Sequence, residues 1–312
     1  MREQGSMGSL AFFQGSARSS RHLWVIGLHE TACTGILLSP DPKQAPILRR
    51  SSDVDNPGDL ASALAGFLSC GARDLAETSR EEGRKSDRKM GTAPRSPVDV
   101  GIILSSRLCR YLAVPWSDAF LQKDEAAAYL RTEFLGVYGD PANDWEIIAQ
   151  DADYDRPRAA CAVEASLLRN LRESYAAMAV KPVFCRPSLS VAFDHFSPRM
   201  NAEKGIFALV EKDALSFMAW AGDDILDIDI ERCAEKDRGN ALTGWYERHR
   251  LTEGDGFRMF VLCPPDFAHR EIADDEKCEW VFLGESEDGR GDRILLPDSH
   301  GHYRMPTDAL WD

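Results

Sequence analysis

Two apolar segments, Val98-Asp-Val-Gly-Ile-Ile-Leu-Ser105 and Leu108-Cys-Arg-Tyr-Leu-Ala-Val114, open the stretch of sequence that decides the fold, residues 98–191. Each segment is short and bounded by turn residues, so each predicts a strand, and a short turn joins the two. Helix and strand patterns then alternate, which is typical of an α/β sheet domain. The predicted elements are a helix over 118–137, strands over 145–150 and 159–163, a helix over 164–178 and a strand over 181–185.

The loops of this stretch carry no catalytic signature. Function in α/β folds lies in loops at strand ends, and these loops contain Pro-Trp, Gly-Asp-Pro and Arg-Pro-Arg. None of them matches a phosphate-binding loop or a nucleophile elbow. The stretch therefore predicts architecture and no particular chemistry.

Composition narrows the class of protein. A chain of 312 residues with 44% hydrophobic residues has enough apolar side chains for one large or two ordinary domains. The net charge of −14 argues against a nucleic-acid partner, because phosphate contacts need clustered Lys and Arg. No run of apolar residues is long enough to predict a membrane-spanning helix. The eight cysteines show no C-x-x-C pair, which favours reduced core thiols in a cytosolic protein.

The flanking regions predict two antiparallel meanders. Residues 22–39 predict a hairpin, residues 41–50 a third short strand, and residues 59–76 a helix. After the central stretch, turn residues divide 205–230 into three strands. The other predicted elements are a disordered leader over 1–21, a mobile loop over 77–97, a helix over 240–251, strands over 257–263 and 279–283, and a weakly patterned acidic tail over 285–312.

A three-strand meander followed by a helix and a strand thus occurs twice, as the two halves of an actin-like fold would require. More specific similarity lies in the segments 104–116, 158–168 and 181–189 and in Ala179-Val-Lys-Pro182. Through these segments the chain resembles the PilM-like and GspL-like proteins of type IV pilus and type II secretion inner-membrane platforms. The resemblance implies an α/β, degenerate actin-like (ribonuclease H-like) fold of two lobes with mixed sheets. It places the first lobe at 22–192 and a second, reduced lobe at 193–284.

The nucleotide site of such a fold lacks its expected ligands here. His29 stands where the first hairpin needs an Asp to position Mg²⁺, and Glu30, Thr31 and Thr34 are out of register. The second hairpin reads Phe207-Ala-Leu-Val-Glu-Lys-Asp213, without the expected Asp-x-Gly-x-(Ser/Thr). Cys263-Pro-Pro265 replaces a Gly-Gly, and proline donates no N–H. We therefore expect no ATP hydrolysis, while nucleotide binding without turnover stays open.

Histidines and carboxylates offer weaker candidates. His300-Gly-His302 has only Asp298 nearby and lacks a further His or Cys to complete a metal site. These residues are therefore interpreted as polar residues of the tail. Asp194-His195 is interpreted as a surface turn before Ser197-Pro198, since neighbours on a strand face opposite ways. Asp227, Asp229 and Glu231 share one strand face, which is typical of the solvated side of an antiparallel sheet.

Serines and aromatic residues are the remaining candidates for a functional site. Ser105-Ser106 and Ser188 lack a Gly-x-Ser-x-Gly context, so a nucleophile is not predicted. Aromatic side chains at element ends pack in cores or serve as anchors for protein partners. They are Trp116, Trp145, Trp220, Trp245, Tyr246 and Trp280.

Three hypotheses follow. The first, implied by the resemblance, is a non-catalytic cytoplasmic scaffold, peripheral at the inner membrane, that binds the cytoplasmic tail of an inner-membrane platform protein and contacts an assembly ATPase. It has no catalytic residues, cofactor or metal. The second is an active actin or sugar-kinase relative with divergent phosphate loops around Thr31–Gly35. The third is an unrelated α/β hydrolase or transferase with a site built from Ser188, Asp194 and His195.

Overall fold

The structure is a computed structural model. Its fold consists of two related sheets, a small third sheet inserted into the first lobe, and a two-stranded sheet formed by residues 296–297 and 303–304. It describes residues 13–14, 22–38, 48–54, 63–64, 66, 99–178, 181–263, 278–283, 296–297 and 303–304.

The sheet of the first lobe has six strands in the order β1-β9-β5-β2-β3-β4. Strands β2, β3 and β4 form an antiparallel meander, and β5 and β9 continue the sheet parallel to β2. The central strands are buried along almost their whole length, as a sheet covered on both faces requires. The bounds are β1 Phe13–Gln14, β2 Leu23–His29, β3 Ala32–Leu38, β4 Leu48–Asp53, β5 Asp99–Leu104 and β9 Lys181–Pro187.

Three antiparallel strands and two helices are inserted between β5 and β9, in the sheet order β6-β8-β7. The short turn predicted after β5 does not make a hairpin. Both edges of β5 are already paired, with β2 and with β9, so β6 must start a separate sheet. The bounds are β6 Cys109–Val114, α1 Lys123–Tyr138, β7 Trp145–Ala149, β8 Arg158–Glu164 and α2 Ala165–Met178.

Helix α1 begins five residues later than predicted, because residues 118–121 form a 3-10 turn capped by the Ser117 side chain. It ends at Tyr138, and the capping residue Gly139 has a φ of 72°, which suits a residue without a Cβ.

The second lobe repeats the arrangement of the first. Its sheet order is β12-β11-β10-β13-β14, with an antiparallel meander and two further strands parallel to β10. The predicted meander and the predicted duplication are therefore confirmed. The bounds are α3 Ser188–Phe196, β10 Lys204–Val210, β11 Ala214–Ala221, β12 Asp224–Arg232, α4 Arg238–Glu253, β13 Phe257–Leu262 and β14 Glu279–Leu283, followed by the short strands β15 Leu296–Pro297 and β16 Tyr303–Arg304.

A single hydrophobic core joins the two lobes. Helix α3 leads from the first sheet to the second, and its Phe193 contacts Phe207 and Trp220 of the second lobe at ring-centroid distances of 5.9 and 5.8 Å. Trp24 and Leu104 of the first lobe belong to the same buried cluster. The lobes are therefore packed against each other by buried apolar surface, in addition to any polar contacts between their turns.

The cysteines were expected to be reduced thiols in the core. The seven cysteines of the described residues are all free, and five of them are buried. Burial raises the pKa of the Cys33 thiol to about 12.

None of the described helices is both long and apolar enough to cross a bilayer. Two residues of the predicted leader form β1 beside β9, while the predicted loop at 77–97 lies outside the described residues.

Candidate functional site

Four strand ends meet between the lobes. Strands β2, β5 and β9 run parallel, so their C-terminal ends lie at one edge of the first sheet, and the end of β10 approaches from the second lobe. We call the polar side chains at these ends the interlobe cluster. Its members are His29, Glu30, Ser106, Arg107, Ser188, Glu211 and Asp213.

Glu211 is at the centre of the interlobe cluster and is fully buried. Its carboxylate accepts hydrogen bonds from the Ser106 backbone N–H at 3.0 Å and from the Ser188 hydroxyl at 3.1 Å. The Ser106 and Ser188 hydroxyl oxygens are themselves 3.2 Å apart. Burial raises the pKa of the Glu211 carboxyl, and His29 together with the two serines opposes that rise.

Asp213 completes a second set of contacts between the lobes. Its carboxylate lies 3.6 Å from His29 Nε2 and 3.5 Å from Arg107 Nε. Arg107 also donates from Nε and Nη2 to the Glu30 carboxylate, at 3.1 and 2.6 Å. His29 first, and Arg107 after it, hold the pKa of Asp213 below its usual value.

The hydrogen bonds of His29 assign its tautomer. Thr31 donates its backbone N–H to His29 Nδ1 at 3.2 Å, so Nδ1 is an acceptor and carries no proton. In the neutral ring the proton is then on Nε2, which faces Asp213. The first hairpin therefore presents a donor to the second hairpin where the nucleotide-binding pattern would place a carboxylate.

Arg238 of α4 holds the turn that carries Glu211 and Asp213. Its guanidinium is buried and donates to the carbonyl oxygen of Glu211 at 3.0 Å and to that of Lys212. A buried cation in this position neutralises the outward carbonyl dipoles of the turn. The turn is thereby kept in the conformation that aims both carboxylates at the first lobe.

In this arrangement the polar groups of the two lobes contact each other directly. The backbone N–H of Ser106 is a donor that could serve an anion, and the Glu211 carboxylate already occupies it. A phosphate group would also meet the negative charges of Glu30 and Asp213. Within the described ranges, no three His, Cys, Asp or Glu side chains are grouped to hold a metal ion.

The other predicted hairpin residues have local partners. Thr31 bonds to His29, with 3.0 Å between Oγ1 and Nδ1, and Thr34 lies 3.3 Å from the Ser51 hydroxyl in the adjacent strand. The prolines that follow Cys263 lie outside the described residues, as do Asp298, His300 and His302.

Ser188, Asp194 and His195 do not form a shared site. Asp194 is paired with Arg186, His195 packs edge-on against Phe196, and Ser188 bonds to Glu211 instead. The interpretation of Asp194-His195 as a surface turn is wrong, because both residues are in α3. The apolar residues around them pack into the core shared by the lobes, and this packing stabilises a helix there.

The carboxylates of β12 do share a face, as their partners in β11 show. Only part of that face is solvated. Asp227 is half-buried, and one of its oxygens lies 3.7 Å from His249 Nε2. Burial, followed by Asp229, raises the pKa of Asp227, and burial lowers that of His249.

A groove of about 820 Å³ lies at one end of the inserted sheet. Its walls are the segment 141–146, the end of β8 and the first residues of α2. Its cations are Arg131 and Arg169, its carboxylates are Asp144, Glu146 and Glu164, and its aromatic side chain is Trp145. Arg131 is fixed by donating to the carbonyl oxygens of Ala142 and Asn143. Within the described part of the chain, no strand pairs with the outer edge of β7, whose first residues Trp145 and Glu146 line this groove.

The roles of Glu211, Arg107 and Arg238 in the interlobe cluster and its support were not predicted from the sequence. The usable signal was position: Ser106 directly follows the predicted strand 98–105, and Ser188 lies three residues after the predicted strand 181–185. Since parallel strands end at a common edge, polar residues in these positions are expected to lie close together.

The sequence matches no protein-family model and no curated protein. Three solved structures resemble the fold. A protein of unknown function with an actin-like ATPase fold from Bacteroides thetaiotaomicron has a TM-score of 0.55 at 13% identity, covering 85% of this chain and 91% of that chain. The cytoplasmic domain of EpsL, an inner membrane component of the type II secretion system of Vibrio cholerae, has a TM-score of 0.51 at 13% identity, covering 85% and 90%. The PilM–PilN type IV pilus biogenesis complex has a TM-score of 0.53 at 12% identity, covering 85% and 89%.

The protein therefore has the actin-like fold. The predicted α/β architecture of two lobes with mixed sheets is confirmed. The predicted resemblance to PilM-like and GspL-like proteins is confirmed as a likeness of fold. At these identities the likeness says nothing further about activity.

Proposed function

We propose that this chain is a non-catalytic scaffold of a type IV pilus or type II secretion-like assembly platform. In this role it lies at the cytoplasmic face of the inner membrane and binds the cytoplasmic tail of an inner-membrane partner. The fold supports this assignment because one relative is the cytoplasmic domain of an inner membrane component and another is a complex of pilus biogenesis proteins.

The observation that carries the proposal is the occupied interlobe cluster. Glu211 takes the Ser106 N–H and the Ser188 hydroxyl, and Arg107 is paired with Glu30 and Asp213. A bound nucleotide would have to separate these contacts and then neutralise three carboxylates. A scaffold has no need of a reaction centre, so the same contacts can serve to hold the two lobes in one arrangement.

The groove beside β7 is the proposed docking site for the partner tail. An extended peptide can add to a free sheet edge through its backbone, with side-chain pockets giving specificity. Trp145 offers an aromatic wall, and Arg169 at the start of α2 offers an exposed cation for a carboxylate. The edge of β7 suits a short extended segment with one carboxylate placed on Arg169, away from the groove's own carboxylates Asp144, Glu146 and Glu164.

Peptide binding tests the proposal. Synthetic peptides covering the cytoplasmic tails of the host's inner-membrane platform proteins would be titrated with the full chain and followed by fluorescence anisotropy. At least one tail is expected to bind, and the Arg169→Glu variant is expected to weaken it about tenfold. The matched control is Arg248→Glu, which reverses an exposed arginine on α4 in the second lobe.

Two results would contradict the proposal. One is that no host tail binds the chain. The other is that the Arg169→Glu variant binds a tail as tightly as the unmodified protein does, or that Arg248→Glu weakens it equally.

A further inference from the structure

An aromatic patch lies at the end of the inserted sheet opposite the groove. Trp116 follows β6 and contacts Phe120 and Tyr154 at ring-centroid distances of 5.8 and 4.8 Å. The Arg158 guanidinium, at the start of β8, lies over the Phe120 ring at 4.2 Å and near the Trp116 ring at 5.5 Å. Leu121 follows directly after Phe120. We define the aromatic patch as these five side chains.

Two members of the aromatic patch are unusually exposed. Leu121 is 65% exposed and Tyr154 is 69% exposed, and they are two of the four large hydrophobic side chains in the described residues that are this open to solvent. Exposed apolar side chains that cluster together mark interaction surfaces, whereas scattered ones need no explanation.

Two arginines also hold the aromatic patch in place. Arg158 donates to the Ala152 carbonyl at 3.3 Å, across the loop that carries Tyr154. Arg156 ties the same loop to the second lobe, through Asp224 at 2.7 Å and Asp223 at 3.7 Å. Aromatic anchors that are already fixed lose little entropy when a partner binds.

The rim of the aromatic patch is acidic. Six exposed carboxylates flank its members along the chain, and the cations in the same segments are Lys123, Arg156 and Arg158. Of these three, Arg156 is paired with the second lobe and Arg158 lies beneath the rings. The two segments that carry the aromatic patch, 116–125 and 151–158, therefore have a net charge of −3, from six carboxylates and three cations. The carboxylates are Asp118, Asp124, Glu125, Asp151, Asp153 and Asp155.

We propose that the aromatic patch docks a basic, apolar segment of the membrane partner, namely the Lys- and Arg-rich stretch next to its membrane-spanning helix. Cytoplasmic stretches that flank such helices carry an excess of Lys and Arg. Their apolar side chains would pack on Leu121 and Tyr154, and their cations would pair with the rim and stack on the Tyr154 and Trp116 rings. The identity of the source rests on the proposed function, whereas the chemistry of the segment rests on the aromatic patch alone.

The aromatic patch and the groove can be tested separately. They lie at the two ends of β8, whose seven residues span about 20 Å. A substitution at one end is therefore too far away to contact a ligand at the other.

The test uses a labelled peptide of about ten residues that alternates leucine with lysine and arginine, and an acidic peptide in which glutamate replaces the cations. The full chain is expected to bind the basic peptide and not the acidic one. The double variant Leu121→Ala/Tyr154→Ala is expected to weaken binding at least about tenfold. Leu251→Ala, which truncates a side chain that is 75% exposed on α4, is the matched control and is expected to bind normally.

The proposal is overturned if the basic peptide does not bind, if the double variant binds it normally, or if the acidic peptide binds equally well. Normal binding by the double variant would mean that the basic peptide responds to the overall charge of −14. Because no host tail is used, this outcome is independent of the groove experiment. Arg169→Glu should leave binding of the basic peptide undiminished, and a loss there would assign the peptide to the groove.

Discussion

The buried carboxylate of Glu211, at the end of β10 in the second lobe, accepts a hydrogen bond from the backbone N–H of Ser106 in the first lobe at 3.0 Å. An acidic side chain thus occupies the donor that an anion would require at the point where the two lobes meet. The contact joins the two lobes at this point. It also makes the stability of the chain sensitive to the charge of one carboxyl group.

The first prediction concerns Glu211 and pH. Because burial raises the pKa of Glu211 in the folded protein, the folded state keeps this proton to a higher pH than the unfolded chain does. The contribution of Glu211 to stability is therefore complete below about pH 4.3 and declines as pH rises through the folded pKa. Glu211→Gln removes this decline, so its free energy of unfolding should rise relative to that of the unmodified protein between pH 4 and pH 7.

Urea unfolding at several pH values measures this difference. Glu173→Gln, an exposed substitution on α2, is the control and should stay within about 0.5 kcal/mol of the unmodified protein throughout. A free energy of unfolding of the Glu211→Gln variant that falls relative to that of the unmodified protein as pH rises would contradict the assigned environment of Glu211.

The second prediction concerns Arg107. Arg107→Ala removes two hydrogen bonds to Glu30 and the cation that pairs with Asp213, so the free energy of unfolding should fall by about 1–2 kcal/mol at pH 7. The pKa of Asp213 is lowered, so its favourable interactions are present above about pH 3.9 and are lost as pH falls below that value. The loss caused by Arg107→Ala should therefore be smaller at pH 3 than at pH 7.

Arg258 offers a matched control for Arg107. It makes a 2.7 Å ion pair with Glu279 on the surface, where both side chains are largely exposed. Arg258→Ala should cost less than about 1 kcal/mol, because solvent screens exposed pairs. Equal losses for the two alanine variants would show that the interlobe pairing adds nothing beyond a surface contact.

The third prediction concerns Gly205 in β10. A Cβ at this position would lie 2.2 Å from the Trp220 ring. Trp220 cannot easily move, since it packs against Phe193 and Phe260 and donates its indole N–H to the Ala202 carbonyl. Gly205→Ala should therefore destabilise the protein by about 1–3 kcal/mol.

Gly244 in α4 is the control for Gly205, because a Cβ there meets no atom within 4 Å. Gly244→Ala should stabilise the protein by up to about 1 kcal/mol, since alanine favours a helix. Thermal or urea unfolding compares the two variants. A loss of stability in both would argue against the close approach of Trp220 to β10.

The second meander shows what the sequence could predict about the fold. Lys212-Asp213 and Gly222-Asp-Asp224 divide apolar runs into strands, and this local pattern was sufficient for β10, β11 and β12. The separation of β5 from β6 was not predictable in the same way. Whether β6 can join the first sheet depends on β9, which occupies that edge and is about seventy residues further along the chain.

For the place between the lobes, the sequence predicted only that the usual nucleotide ligands are missing. Local pattern showed that the second hairpin lacks the expected phosphate ligands, and His29 showed the same for the first. It could not show that Glu211 reaches Ser106, a residue 105 positions earlier in the chain. Such a contact depends on how the lobes pack, which no periodicity in the sequence encodes.

Calorimetric titration of the full chain with Mg-ATP tests the central claim most directly. If the side chains of Glu211, Arg107 and Asp213 fill the place between the lobes, the titration will show no saturable heat at millimolar nucleotide. Saturable one-to-one binding that disappears in the Thr31→Ala and Thr34→Ala variants would contradict the account, and would instead support an active nucleotide-binding protein with divergent phosphate loops.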